Sequence, residues 1–178
     1  MPFPLRSPSP MSFSDTLLPE FDNEMRITRT LLERIPFDHA DTKPNPKSRT
    51  LIELASHMVN LTRFGQMIVS ADERDFGAPG PPIIQEYPDS QALLAAFDAN
   101  VAASRAAIAA IDDSKIGDTW TLRNGAHVIM AMPRAAALRG LLMSHMIHHR
   151  GQLSAYLRLN NIPHPPIYGP TADMPQPR

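Results

Sequence analysis

Cysteine is absent from all 178 residues of this chain. Its absence excludes disulfide bonds, a cysteine nucleophile and metal sites built on thiolates. There is also no run of basic residues, and the formal net charge is only −1. Neither nucleic acid nor an anionic membrane is therefore an expected partner. The longest apolar stretches are rich in alanine and interrupted by charges, so no segment is predicted to span a membrane. These absences favour a cytoplasmic protein in which any metal ion has nitrogen and oxygen ligands.

The length and the hydrophobic content of 43% suit one domain with a real core. Residues 1–12 are predicted to form a disordered tail, since four of the first ten residues are prolines. Residues 13–178 then form the single domain, which ends in a proline-rich tail (residues 163–177) that cannot be helical. Met11 resembles a natural beginning, and one hypothesis is that translation starts there. An intact mass that includes residues 1–10 would exclude it.

Four segments space their apolar residues alternately three and four positions apart, as packed amphipathic helices do. They cover residues 18–35, 54–68, 94–111 and 138–156. The predicted helix starts are Ser14 or Asp15, the region of Ser48, Asp89 or Ser90, and a first turn containing Pro133. The fold predicted from this pattern is all-α, a four-helix bundle.

The segments between these helices differ in character. Residues 71–88 form a long loop rich in proline and glycine, which permits a crossover between the second and third helices. Asn124 and Gly125 lie between β-prone flanks and predict a small two-stranded hairpin before the fourth helix. Asn160 and Asn161 offer a left-handed stop after that helix.

Histidines occupy the apolar stripes of two of the predicted helices. His145 and His149 are four residues apart, about 40° around a helix, and His57 shares a stripe with Leu54 and Leu61. A buried imidazole without a partner costs on the order of 1–3 kcal/mol. A metal ion would satisfy all three rings at once. The pattern therefore predicts a metal site formed by His57, His145 and His149.

Other polar residues near these histidines are candidates for a supporting role. Gln152, His148 and Glu53 are candidates to lie beside the ligands, but the pattern favours Glu53 as a polar residue at the edge of the stripe. The remaining histidines (His39, His127 and His164) are predicted to be at the surface, and Arg139, Arg150 and Arg158 to lie off the stripe. Met146 stands where a His-Glu-x-x-His protease would have its glutamate, so that mechanism is unsupported.

Three neutral imidazoles without a thiolate suit zinc or nickel, with iron or manganese as alternatives. Three protein ligands leave at least one position for water or substrate, as in catalytic metal sites. Such an ion can lower the pKa of bound water or of a bound thiol.

The stretches that carry a family resemblance are residues 53–60 around His57, residues 145–153 with His-x-x-His-His-Arg-Gly-Gln-Leu, the following Tyr156-Leu-Arg-Leu-Asn-Asn, residues 162–173 and the first helix. Together they resemble the DinB/YfiT-like superfamily of small metal-binding four-helix proteins. The resemblance implies an up-down-down-up bundle, often a homodimer, with His57, His145 and His149 as metal ligands. It also implies metal-dependent S-transfer with low-molecular-weight thiols, or thiol-dependent isomerisation, as known activities of the group.

The sequence leaves two classes of function open. One is a metal-dependent enzyme acting on a small-molecule substrate, first a thiol-dependent S-transferase and second a metal-dependent hydrolase. The other is a non-catalytic stress protein that binds a metal or a ligand. A general base or a thiol-recognition pocket near the triad would separate them, and the sequence identifies neither.

Overall fold

The structure, a computed structural model, describes residues 11–79 and 85–174. The helices are α1 (Phe13–Leu32), α2 (Leu51–Leu61), α3 (Phe64–Ser70), α4 (Ser90–Ala109), α5 (Arg134–Ala137) and α6 (His145–Leu159). The strands are β1 (Glu73–Asp75), β2 (Thr119–Asn124) and β3 (His127–Pro133). A π-helical turn, Leu138–Ser144, joins α5 to α6. With α3 following α2 almost at once, the helices form a bundle of four.

Side-chain caps set the first residues of the long helices. The hydroxyl of Ser12 accepts from the backbone N–H of Asp15, whose carboxylate accepts from the N–H of Ser12. Thr50 and Glu53 form the same reciprocal pair at α2. Asp89 caps α4, as predicted. The predicted starts of α1 and α2 each missed the true cap by about two residues, which is ordinary for helix ends.

Contacts between the helices define their directions. Helices α1 and α4 are joined by the pairs Asp22–Arg105 and Arg29–Asp98. Helices α2 and α4 are joined by Val59–Asn100 and Thr62–Ser104. Helices α2 and α6 are joined by Arg49–Tyr156 and His57–His149. Residue numbers rise together only in the second set, so α2 and α4 are parallel and the other two pairs are antiparallel. In chain order the helices therefore run up, down, down and up.

A small mixed sheet makes the all-α prediction inaccurate. The predicted hairpin is present as β2 and β3, which pair antiparallel, but β1 adds a parallel third strand, with Glu73 opposite Thr121. Asp75 holds the strand ends together, because its Oδ1 accepts from the N–H of Gly77 and of Gly125, each at 2.8 Å. Glycine at position 125 suits its φ of +57°. A three-residue strand in a long loop has no periodicity by which the sequence could predict it.

The core lies between the four helices and is closed at one side by the sheet. Phe21, Leu54, Phe97 and Leu142 are essentially inaccessible to solvent, and Trp120 of β2 is equally buried. The Trp120 ring meets Phe64 edge to face, with centroids 6.5 Å apart. Burial of such side chains contributes about 1.5–3 kcal/mol each. The sheet is thus packed on the bundle and does not project from it.

Helix α4 is the single helix of the described residues that is long and apolar enough to cross a membrane, by length and composition alone. In the structure it packs on the other helices. One face buries Leu93, Phe97 and Ile108, and another carries Asp98 and Arg105, which are paired with α1. By these contacts, α4 is one of the packed helices of the bundle.

The chain leaves α6 at Asn161, whose φ of +55° is the predicted left-handed stop. The segment that follows, up to residue 174, contains no helix, as its prolines require. It is held to α6 by Asp173, which pairs with Arg158 at 2.7 Å. Of the tail predicted for residues 1–12, residues 1–10 lie outside the described residues, as do residues 80–84 and 175–178 of the chain.

Candidate metal centre

Three histidine rings from two helices converge on one point. Nε2 of His57, on α2, lies 3.1 Å from Nε2 of His149 and 3.5 Å from Nε2 of His145, both on α6. The ligand atoms of all three residues lie within 4.8 Å of one another. The structure thus brings together the three residues that the sequence grouped as candidate ligands.

The separations of these nitrogens fit a metal ion. In a tetrahedral site with Zn–N bonds of roughly 2.0–2.1 Å, two ligand nitrogens lie about 3.3–3.4 Å apart. The two separations from His57 bracket that value. All three rings are half-buried, so an ion held there would keep a side open to the solvent or to a ligand.

Burial favours the neutral form of all three rings. Burial lowers the pKa of His57 to about 4, and the positive charge of Arg49 acts in the same direction. Burial is also the main cause of the lowered pKa of His145 and of His149. The neutral ring is the form that binds a metal ion.

Gln152 orients one of the three rings. Nδ1 of His149 lies 2.7 Å from Oε1 of Gln152, so Nδ1 carries the proton and Nε2 keeps its lone pair for a ligand. His145 is held by a hydrogen bond to the backbone of Leu141.

The other two predicted neighbours have different positions. His148 is exposed, and its ring centroid lies 5.0 Å from that of His149, at the rim of the site. Glu53 is one turn before His57, but its carboxylate is engaged by the backbone N–H of Thr50. Its place is therefore in the α2 cap. His39 and His127 are exposed, as predicted, and His164 is partly buried.

The histidines lie at the flank of the core stripe of α6, not at its centre. The buried residues of the π-helical turn and α6 are Leu138, Leu142, Met143, Met146, Arg150, Leu153 and Leu157. From Met146 onward this stripe is one residue later than the predicted one. The π-helical turn explains the difference, because its wider turn shifts the helical phase.

Arg150 is consequently buried, and its predicted place off the stripe is wrong. Its guanidinium donates to the carboxylate and to the backbone carbonyl of Glu24, and also to the hydroxyl of Tyr168. Tyr168 in turn donates to Glu24 at 2.7 Å. This network joins α6 to α1 and to the C-terminal segment directly beside His149. In the sequence, Arg150 directly follows the candidate metal ligand His149, but helical periodicity alone placed Arg150 off the apolar stripe.

A cavity of about 290 Å³ lies next to the triad. Its lining residues are Arg49, His57, Asn60, Leu61, Phe64, Phe76, Leu122, Met130, Leu141 and His145. Two of them, Leu122 and Met130, come from the hairpin, and Phe76 follows β1. Neither the cavity nor the position of Arg49 in it was predicted from the sequence, because the walls of the cavity come from segments distant in the chain.

Comparisons with known proteins agree with this architecture. A family model described as the DinB family matches residues 11–178. A DinB-like protein from Bacillus cereus ATCC 10987 has a similar crystal structure, with a TM-score of 0.66 and 16% identity over 89% of this chain and 99% of that one. A DinB-like protein from Bacillus subtilis gives 0.64 and 20%, over 86% and 96%. No curated protein matches the sequence significantly. At these identities the two structures establish the fold alone.

Proposed function

This chain belongs to the DinB family, and we propose that it is a metal-dependent enzyme whose ion is held by His57, His145 and His149. The observation that carries the proposal is the convergence of three neutral imidazoles beside an apolar cavity. Zinc or nickel suits this donor set best, with iron or manganese as alternatives. When bound, the ion would supply a Lewis acid that lowers the pKa of a thiol or of water and yields a nucleophile at neutral pH.

Among reactions, the cavity favours thiol-dependent S-transfer over hydrolysis. No aspartate or glutamate of the described residues lines it, so no carboxylate is placed there as a general base. A thiol needs little help to lose its proton, because its pKa is about 8.5. On the ion, bound water would have a pKa of about 7 and be only partly ionised at neutral pH, whereas a bound thiol would lose its proton completely. The chain's own residues would bind the apolar part of a substrate and shield it from solvent, with the sheet as one wall.

Metal content tests the site itself. Protein purified without added metal should contain about one ion per chain, and His57→Ala and His149→Ala should each lose it, since each removes one of three ligands. His148→Ala and His127→Ala are matched controls and should keep the ion, because neither ring belongs to the triad. Unchanged metal content in both ligand variants would end the metal proposal.

A thiol panel tests the reaction. Glutathione, bacillithiol and mycothiol would each be offered with an electrophilic reporter, to the metal-loaded protein and to His57→Ala. A metal-dependent rate above background with one of them is expected. Its absence with all three would favour the non-catalytic alternative, a metal- or ligand-binding stress protein.

The homodimer and the cytoplasmic location also remain predictions, which sedimentation analysis and cell fractionation test.

A further inference from the structure

The walls of the cavity beside the triad are apolar along most of their extent. Leu61, Phe64 and Leu122 are almost completely buried and contribute to its inner surface. Asn60 also lines it, but its amide is already engaged by the backbone carbonyls of Ser56 and Gln85. Apart from the two histidines, Arg49 is then the polar side chain of the lining that is left to interact with a ligand.

The guanidinium of Arg49 makes no hydrogen bond or ion pair with any described residue. Residues 1–10, 80–84 and 175–178 contain no aspartate or glutamate that could provide one. Several other arginines in the chain have a carboxylate partner: Arg29, Arg105, Arg123, Arg134, Arg139, Arg150 and Arg158. An arginine at a cavity without such a partner has five donors available.

The backbone at Arg49 is fixed in place relative to the triad. The carbonyl of Arg49 accepts from the hydroxyl of Tyr156, on α6, at 3.0 Å. The next residue, Thr50, is the cap of the helix that carries His57. Arg49 lines the same cavity as His57 and His145 of the triad. The cation therefore faces the same space as the triad.

From this arrangement we propose that Arg49 binds the carboxylate of a small-molecule substrate whose apolar body fills the cavity. The part of the inference that places the reacting atom at the triad rests on the proposed function. A planar guanidinium matches the two oxygens of a carboxylate. One arginine balances the single negative charge of a carboxylate. The volume, about 290 Å³, lies just below the range of ligand pockets, roughly 300–1,000 Å³, so the cavity suits a small molecule.

A matched pair of probes tests the proposal: 4-phenylbutanoate and 4-phenylbutanamide, which differ only in the charged group. Binding is measured by NMR titration of the chelator-treated 178-residue chain, so that no ion can attract the carboxylate. The carboxylate should bind on the order of tenfold more tightly than the amide, as expected for a charge-assisted hydrogen bond. Arg49→Gln should remove this difference without weakening the amide.

Arg34→Gln is the matched control, because Arg34 is also exposed but does not line the cavity. It should keep the full preference for the carboxylate. Both variants should unfold at the wild-type temperature, since the guanidinium of Arg49 holds no other residue. A preference that survives Arg49→Gln, or equal binding of both probes to the wild-type chain, would overturn the proposal. So would the absence of binding by either probe.

The two proposals fail separately. The probe measurement contains no metal, so a chain that never binds an ion can still show the Arg49-dependent preference. Conversely, a loss of that preference leaves the metal content and the thiol assay as they were.

Discussion

Replacement of Glu24 by alanine should destabilise the protein far more than replacement of Glu20, one turn earlier on the same helix. Glu24 is 5% exposed and is the counter-charge of Arg150, which is completely buried. Glu20 pairs with Arg139, but those side chains are 36% and 53% exposed. The two pairs have the same chemistry and differ in burial, so their comparison isolates the effect of desolvation.

The expected magnitudes follow from that difference. Removal of one partner of a buried pair leaves the other charge uncompensated, which costs about 3–5 kcal/mol. Three further contacts with Arg150 would remain in Glu24→Ala: the backbone carbonyl of residue 24 at 3.0 Å, the Thr28 hydroxyl at 3.3 Å and the Tyr168 hydroxyl. They favour the lower half of that range. An exposed pair contributes about 0–1 kcal/mol, so Glu20→Ala should lose no more than that.

Urea unfolding followed by circular dichroism measures both free energies, with equal slopes as the check that the unfolded states are comparable. The double variant Glu24→Ala with Arg150→Met should recover part of the loss, because it leaves no buried charge. A loss below 1 kcal/mol in Glu24→Ala, or no recovery in the double variant, would refute the account of a buried, coupled pair.

Three further predictions concern the ligand geometry, the packing and the sheet. Gln152→Ala should weaken metal affinity roughly 10–100-fold, measured by chelator competition, because His149 loses the acceptor that orients it. Gly65→Ala should cost about 1–3 kcal/mol in urea unfolding, since the new Cβ would lie 2.6 Å from a side-chain carbon of α4, whereas Gly151→Ala, which meets nothing, should stabilise α6 by about 0.5–1 kcal/mol. The hydrogen bonds that Asp75 accepts lower the pKa of its carboxyl group. The stabilisation by Asp75 is therefore present above the ordinary pKa of an aspartate and is lost as the pH falls through the lower pKa of the folded state. The difference in thermal stability between Asp75→Ala and wild type should accordingly shrink from pH 7 to pH 2.5.

The long helices and the triad could be predicted because both follow from local periodicity. His145 and His149 are one turn apart whatever the tertiary structure, and the stripe of α2 placed His57 on the side that faces them. The hairpin was predicted from Asn124 and Gly125, although the turn itself is formed by residues 125–126. Strand β1 could not be predicted in this way, because its pairing with β2 is a long-range contact.

The cavity could not be predicted from the sequence for the same physical reason. Its walls combine residues of α2, α3, the hairpin, the segment after β1 and the π-helical turn, and no local pattern relates these segments to one another. Arg49 could have been noticed as an arginine directly before a helix cap. Its lack of a carboxylate partner, however, is a property of the folded chain.

The burial of Arg150 and the position of the triad have the same structural cause. A regular helix through residues 138–156 would place the histidines within the core stripe and Arg150 outside it. The π-helical turn reverses this order, so that Met146 and Arg150 fill the core while His145 and His149 move to its edge. Imidazoles in the centre of the bundle would hold an ion without room for a substrate. At the edge they border the cavity and remain half-exposed. The irregular turn is therefore the local feature that makes the site accessible, and π-helical turns inside α-helices occur frequently at functional sites.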